Sequence, residues 1–108
     1  MSLTIQIYYS GTQGRARSFA AEMEDSGIAE EIRREKGNQQ YEYFFPMTDP
    51  ETVLLIDRWE DQAALDAHHQ TEMMRKIAAL REKYDLHMRV ERLMPADVVE
   101  DDARYIRT

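Results

Sequence analysis

The segment TVLLIDRWE, residues 52–60, decides the fold because its apolar residues predict a strand with two apolar faces. Successive side chains of a strand point to opposite faces of the sheet. Val53 and Leu55 therefore lie on one face, and Leu54 and Ile56 lie on the other. Since both sets are large and apolar, we expect a covering layer on each side of this strand.

Three more strands are predicted around this segment from alternating or aromatic patterns. They lie at residues 3–9, 40–45 and 86–94. Pro46 and the Asp49-Pro50 pair follow the run QYEYFF, so residues 40–60 are predicted to form a hairpin with a longer loop.

Two helical regions connect these strands. The first begins near Arg15, and its pairs Phe19/Met23 and Ile28/Ile32 point in opposite directions on a straight helix. A break is therefore predicted at Ser26-Gly27, with Gly37 as the C-terminal cap of the region.

The second region holds a short helix, DQAALDAHH, capped by Asp61, and then a longer helix within residues 71–84. The longer helix carries the apolar stripe Met73, Ile77, Leu80 and Tyr84.

The resulting order, β-α-β-β-α-β, is the ferredoxin-like arrangement of the α+β class. Residues 1–94 form this one domain, and residues 95–108 form an acidic tail that could be an edge strand, an arm around a partner or disordered. Two helical regions cover only one face of a four-stranded antiparallel sheet. A homodimer that pairs two sheets face to face would cover the other face, which also carries charged strand positions.

The composition excludes several classes of function. The chain has 108 residues, a formal charge of −7 and no cysteine. An acidic chain without a basic stripe is not expected to bind nucleic acid or an anionic membrane surface. The longest fully apolar run, VLLI, is too short to span a membrane, and no signal segment is apparent, so the expected location is cytoplasmic.

A longer segment carries a family likeness. Residues 37–69, GNQQYEYFFPMTDPETVLLIDRWEDQAALDAHH, resemble the antibiotic biosynthesis monooxygenase (ABM) family. The shared features are a Gly-Asn entry to an aromatic strand, a hairpin, an apolar strand that ends in Trp-Glu, and the following ALDAH. With its flanking elements, the likeness covers about residues 3–93.

The resemblance implies a dimeric α+β barrel with a pocket in each subunit between sheet and helices. Some relatives oxidise quinols or phenols with O2 and without metal or flavin, and this chain is most similar to that quinol-monooxygenase type. It departs from those relatives at Glu72-Met73, where many of them have a proline followed by a histidine. The haem-degrading branch has an asparagine and a histidine where this chain has Ile7 and Ala78, so haem degradation is not expected.

His68 is the predicted catalytic base, since a neutral imidazole can take a proton from a phenol near neutral pH. The alternative is a packing histidine beside Leu65. The predicted ligand-binding residues are Trp59, Tyr43, Tyr41, Tyr9 and Arg58. For Trp59 and the tyrosines, the alternative is likewise structural: a core tryptophan and sheet packing.

No cofactor or metal is expected. His68 and His69 are adjacent, hence about 100° apart on a helix, and cannot both bind one metal as an i, i+4 pair can. GTQG, residues 11–14, lacks the spacing of a nucleotide-binding loop.

Three functions follow for this scaffold. The first is a cofactor-independent monooxygenase acting on a small aromatic or hydrophobic ligand. The second is an isomerase of small carbonyl compounds, of the autoinducer-phosphate type, in which Arg58 or Arg89 would hold a phosphate. The third is a non-catalytic, stress-related dimer that binds such a ligand.

Overall fold

The computed structural model describes residues 2–108 and contains one antiparallel sheet of four strands. The strands are β1 (Leu3–Ser10), β2 (Asn38–Phe44), β3 (Thr52–Trp59) and β4 (His87–Leu93). The helices are α1 (Arg15–Asp25), α2 (Ile28–Arg33), α3 (Gln62–His69) and α4 (Glu72–Lys83). The sheet order is β2-β3-β1-β4. This order and the connectivity confirm the predicted ferredoxin-like α+β fold.

The first helical region is broken where the sequence predicts it. Gly27 separates α1 from α2 with φ 86°, a left-handed conformation that glycine adopts without the steric cost of a Cβ. The break lets Phe19 and Met23 on α1, and Ile32 on α2, all reach the core, where each is fully buried.

Gly37 brings the start of β2 against the start of α3. Its φ is 87°, and a Cβ at this position would lie 2.6 Å from the Cβ of Ala64. Its carbonyl accepts a hydrogen bond of 2.8 Å from the Glu60 N–H. Only glycine fits both the conformation and the close approach.

The second helical region also follows its predicted signals. The Asp61 side chain accepts a hydrogen bond of 2.9 Å from the Ala64 N–H and so caps α3. On α4, Met73, Ile77 and Leu80 are buried against the sheet core, as the apolar stripe predicts.

The two faces of the sheet are unequal because the helices cover only one of them. On β3, Val53 and Leu55 point to the helix-covered face and are fully buried. Leu54, Ile56 and Arg58 point to the opposite face, here called the open face, and are half-buried. One cross-strand row of the open face is Glu42, Ile56, Gln6 and Glu91.

The tail leaves the sheet after β4. It contains a short 3-10 helix, Glu100–Tyr105, and its side chains are exposed throughout. Within residues 2–108, no helix is both long enough and apolar enough to cross a membrane.

Candidate functional site

A cavity of about 280 Å³ lies between the sheet and the helices α3 and α4. Its apolar lining comes from both layers. The lining residues of this kind are Ile5, Ile7, Leu55, Leu65, Met74, Ile77, Met88 and Val90. A largely apolar cavity with a few polar groups is the usual form of a small-molecule site.

The cavity opens along β4, the edge strand that the helices do not cover. Met88 and Val90 belong to the helix-covered face, yet they are 40% and 50% exposed. Their cross-strand neighbours on β1, Tyr9 and Ile7, are buried or half-buried. The opening along β4 is the mouth of the cavity, and the opposite end, toward β3, is the inner end.

His68 lies at the inner end and is held by a carboxylate. It is only 4% exposed, and its Nδ1 lies 2.9 Å and 3.1 Å from the two carboxylate oxygens of Glu35. Because a carboxylate only accepts hydrogen bonds, Nδ1 is assigned the proton and Nε2 is left as an acceptor. The imidazole stacks on Trp59 with ring centroids 4.8 Å apart. Two neighbours therefore fix the orientation of the ring.

The surroundings of His68 favour the neutral form of its imidazole. Burial lowers its pKa below the ordinary value, and the neighbouring Glu35 carboxylate opposes this shift only in part. A neutral imidazole with a fixed tautomer and one free acceptor nitrogen can take a proton from a ligand. Glu35 was not singled out in the sequence because it lies in a loop 33 residues from His68.

Asp57 is a second titratable group in the cavity, and sequence reasoning missed it. It is 5% exposed, and its Oδ1 has no hydrogen-bond partner among the described residues. Burial raises its pKa to about 7; Trp59 counteracts part of the shift, although the indole N–H does not reach hydrogen-bond geometry. The signal was present in the alternation of β3, which puts Asp57 on the same face as Val53 and Leu55.

Two of the predicted tyrosines line the cavity and one stands behind them. Tyr9 and Tyr41 are lining residues, whereas Tyr43 packs beside Tyr41, with hydroxyl oxygens 3.4 Å apart. Burial raises the pKa of Tyr9 to about 12 and also raises the pKa values of Tyr41 and Tyr43. All three stay neutral, so Tyr9 and Tyr41 can donate hydrogen bonds at neutral pH.

Two other predicted ligand-binding residues do not reach the cavity. Trp59 is fully buried behind His68 and supports it rather than lining the cavity. Arg58 lies on the open face, where its guanidinium donates to the side chain of Gln40. Neighbouring residues of a strand face opposite sides, so Arg58 and the inward-facing Asp57 and Trp59 cannot share one pocket.

Two arginines that the sequence did not single out stand at the mouth. The Nη1 of Arg81, on α4, donates to the Met88 Sδ over 3.0 Å. The Nη2 of Arg92, on β4, donates to the Gln62 Oε1 over 2.5 Å. The cavity thus combines an inner end with acceptors and a mouth with cations.

Solved structures share this fold over nearly the whole chain. Protein PA3566 from Pseudomonas aeruginosa has a TM-score of 0.75 and 23% identity, covering 89% of this chain and 95% of its own. Rv0793 from Mycobacterium tuberculosis has a TM-score of 0.75 and 18% identity, covering 93% of this chain and 100% of its own. At these identities the likeness shows the fold alone.

Sequence comparison is more specific. The "Putative monooxygenase YcnE" of Bacillus subtilis is 26% identical over 69 residues, which span 64% of this chain and 70% of YcnE. The family model described as Antibiotic biosynthesis monooxygenase matches residues 2–80. That match covers most of the chain, from before β1 to Leu80 within α4, and includes His68, Glu35 and Asp57. The chain therefore belongs to the antibiotic biosynthesis monooxygenase family, as the resemblance of residues 37–69 predicts.

Proposed function

We propose that this protein is a cofactor-independent monooxygenase that oxidises a small phenol or quinol with O2. The observation that carries the proposal is the geometry of His68. Its Nδ1 is held by Glu35, its ring is stacked on Trp59, and the residue lines an apolar cavity. An oriented, neutral base in a site of low polarity suits the removal of a phenolic proton.

In the proposed reaction, Nε2 of His68 accepts a proton from a substrate hydroxyl. The resulting anion is rich in electrons and transfers one to O2, after which the two radicals combine at a ring carbon. For a quinol, one oxygen atom enters the ring and the other leaves as water, so quinol and O2 give a hydroxyquinone and water. The substrate supplies all four electrons, and no other reductant is required.

The surroundings of His68 support this chemistry. Tyr9 and Tyr41 are neutral and line the same cavity, where their hydroxyls would stabilise a phenolate by donating hydrogen bonds. The apolar lining lowers the polarity around the ligand, which would strengthen such bonds. His68 is then the base, and the two tyrosines hold the ring and its developing charge.

The proposed active form is a homodimer joined through the open faces of two sheets. Leu54 and Ile56 leave apolar surface there, and Glu42, Arg58 and Glu91 supply charges of both signs. A second copy would cover this apolar surface.

The experiment is O2 consumption by purified protein treated with a metal chelator, measured against a panel of quinols and anthrone-like phenols. The His68→Ala variant is run beside the wild type, and Lys76→Ala is the control because Lys76 is exposed on α4, away from both the cavity and the open face. Circular dichroism checks that each variant is folded. We expect O2 uptake that is lost in His68→Ala and retained in Lys76→Ala.

Other outcomes separate the alternatives. Uptake that survives in His68→Ala would keep the monooxygenase and reject His68 as its base. No uptake with any compound would reject the monooxygenase and leave the isomerase or the non-catalytic binding protein. The phosphate-holding role considered for Arg58 and Arg89 has no support, because both residues lie on the open face.

A further inference from the structure

The inner end of the cavity holds an acceptor that the protein does not satisfy. Asp57 is 5% exposed, and its Oδ1 has no hydrogen-bond donor among the described residues, although the side chain lines the cavity. Leaving a buried polar group without a partner is costly. A ligand hydroxyl that reaches this oxygen would remove the cost. His68 lines the same cavity, and its Nε2 is a second acceptor.

The mouth of the cavity carries cationic hydrogen-bond donors instead of acceptors. Arg81 and Arg92 both line the cavity, and neither forms an ion pair within the described part of the chain. Arg81 donates to a thioether sulfur, which is a weak acceptor, and Arg92 donates to a neutral amide. Of the other arginines in residues 2–108, five form carboxylate pairs, namely Arg33, Arg34, Arg75, Arg89 and Arg104. Arg81 and Arg92 differ from the remaining arginines without such a pair because these two line the cavity.

The sheet register relates the two ends. Ile5 on β1 is paired with Asp57 on one side and with Arg92 on the other, so the three residues form one cross-strand row. Neighbouring strands are about 4.8 Å apart, which puts the Cα atoms of Asp57 and Arg92 about 10 Å from each other. The apolar part of a small aromatic ligand fits across this span, over Ile5 and Ile7.

We propose that the cavity selects an aromatic ligand that carries an anionic group. Its hydroxyl is directed at the inner end, toward Asp57 and the Nε2 of His68, and its anion is held at the mouth by Arg81 and Arg92. Guanidinium groups bind carboxylates through paired, charge-assisted hydrogen bonds. Each of these arginines has one neutral acceptor and no carboxylate partner within residues 2–108. The inference rests on the proposed function, because it takes the cavity as the substrate site, but it does not depend on the reaction with O2.

The test measures binding by calorimetry without oxygen at neutral pH, so that no turnover occurs. The probe is 6-hydroxy-2-naphthoate, compared with its methyl ester, which lacks the charge, and with 2-naphthoate, which lacks the hydroxyl. The protein variants are the double substitution Arg81→Gln with Arg92→Gln, and Arg75→Gln. Arg75 is the matched control because it lies on α4, is exposed and is outside the cavity.

For the wild type, we expect the acid to bind roughly tenfold more tightly than its ester, the effect of one charge-assisted contact. This preference should disappear in the double variant and remain in Arg75→Gln. Removal of the hydroxyl should also weaken binding of the acid. Circular dichroism and thermal unfolding confirm that the variants are folded.

Several results would overturn the proposal. Equal binding of acid and ester by the wild type, or an acid preference that persists in the double variant, would remove the arginines from ligand recognition. Equal binding of 2-naphthoate and its hydroxylated form would show that Asp57 does not bind the ligand hydroxyl. An acid preference without O2 uptake on any compound would reject the monooxygenase and keep this inference. O2 uptake on neutral phenols without an acid preference would keep the monooxygenase and reject this inference.

Discussion

The two faces of β3 are made by alternate residues of one strand, yet they differ in what they can do. On the helix-covered face, Val53 and Trp59 are 0% exposed, and Asp57 lies between apolar neighbours. On the open face, Ile56 and Arg58 remain half-buried, and the arginine shares a hydrogen bond with a neighbouring side chain. The same strand therefore supplies a closed interior on one side and a surface that can meet a partner on the other.

The difference shows that burial, more than residue type, decides which polar groups gain unusual chemistry. Asp57 has its pKa raised to about 7 because it lies inside the helix-covered face. An aspartate at the position of Ile56, one residue earlier, would face the open side, with more water around it. The chemistry of the site comes from placing a few polar groups on the side of the sheet that the helices close.

The largest expected effect comes from removing Trp59. We expect Trp59→Ala to lower the free energy of unfolding by about 3–5 kcal/mol, because the side chain is fully buried and supports His68. Leu54→Ala, on the open face of the same strand, should cost clearly less. Urea unfolding at low protein concentration measures both losses. Equal losses would mean that the open face is as well covered as the other, and the contrast between the two faces would fail.

The next effect is a pH dependence that Asp57 imposes on stability. Its pKa is raised in the folded protein from 3.8 to about 7, so folding favours the protonated form. The contribution of the protonated carboxyl is complete below about pH 4 and is lost as the pH rises through about 7. At high pH the full cost of the raised pKa is about 4 kcal/mol at most.

Asp57→Asn removes this ionisation. The variant should therefore gain stability relative to the wild type as the pH rises from 4 to 7, with no further gain above about pH 8. Unfolding curves across this range measure the difference. Asp25→Asn is the control, because Asp25 is exposed at the end of α1. A difference between the wild type and Asp57→Asn that is flat with pH would show that Asp57 is not buried as a neutral acid.

A third prediction tests the open face as the site of the proposed dimer. Ile56→Asp puts a negative charge at the centre of the row that joins Glu42, Gln6 and Glu91. Burying a charge beside charges of the same sign is unfavourable, so the dimer should dissociate at a protein concentration at least about tenfold higher than the wild type does. Sedimentation velocity measures this, with Ala78→Asp, exposed on α4, as the control. A wild type that is monomeric at all concentrations would reject the open face as a dimer interface.

Local features of the fold were predictable from the sequence because they depend on neighbouring residues. The break at Gly27, the cap at Asp61 and the stripe through Met73 each follow from a turn residue, a capping side chain or a helical period. The ends of β4 differ from prediction by one residue at each side. The strand order then followed from the order of the elements.

The site was only partly predictable because its parts meet through tertiary packing. His68 was found through the family likeness, and its cavity position could not be read from the helix alone. Glu35 and Arg81 carried no local signal, since their roles depend on which elements close over the sheet. Asp57 was accessible in principle through its alternation with Val53 and Leu55, but which face is buried depends on where the helices pack.

The smallest expected effect isolates the contact between Glu35 and His68. The carboxylate favours a protonated imidazole and so partly offsets the lowering of the His68 pKa by burial. Glu35→Gln removes the charge but keeps a side chain of similar size, so the pKa of His68 should fall further below its ordinary value. An NMR titration of the His68 ring measures the shift, and Glu31→Gln, exposed on α2, serves as the control.

The Glu35→Gln variant also shows whether Glu35 positions His68 for catalysis or only stabilises the fold. If Glu35 fixes the tautomer of a catalytic base, kcat for the phenol that the enzyme oxidises should fall in Glu35→Gln while KM changes little. The acid limb of the pH profile should move to lower pH, following the His68 pKa. A loss of about 1 kcal/mol in the free energy of unfolding is expected from the weakened hydrogen bond. A stability loss with an unchanged His68 pKa would make Glu35 a packing residue and leave the orientation of His68 to its stacking on Trp59.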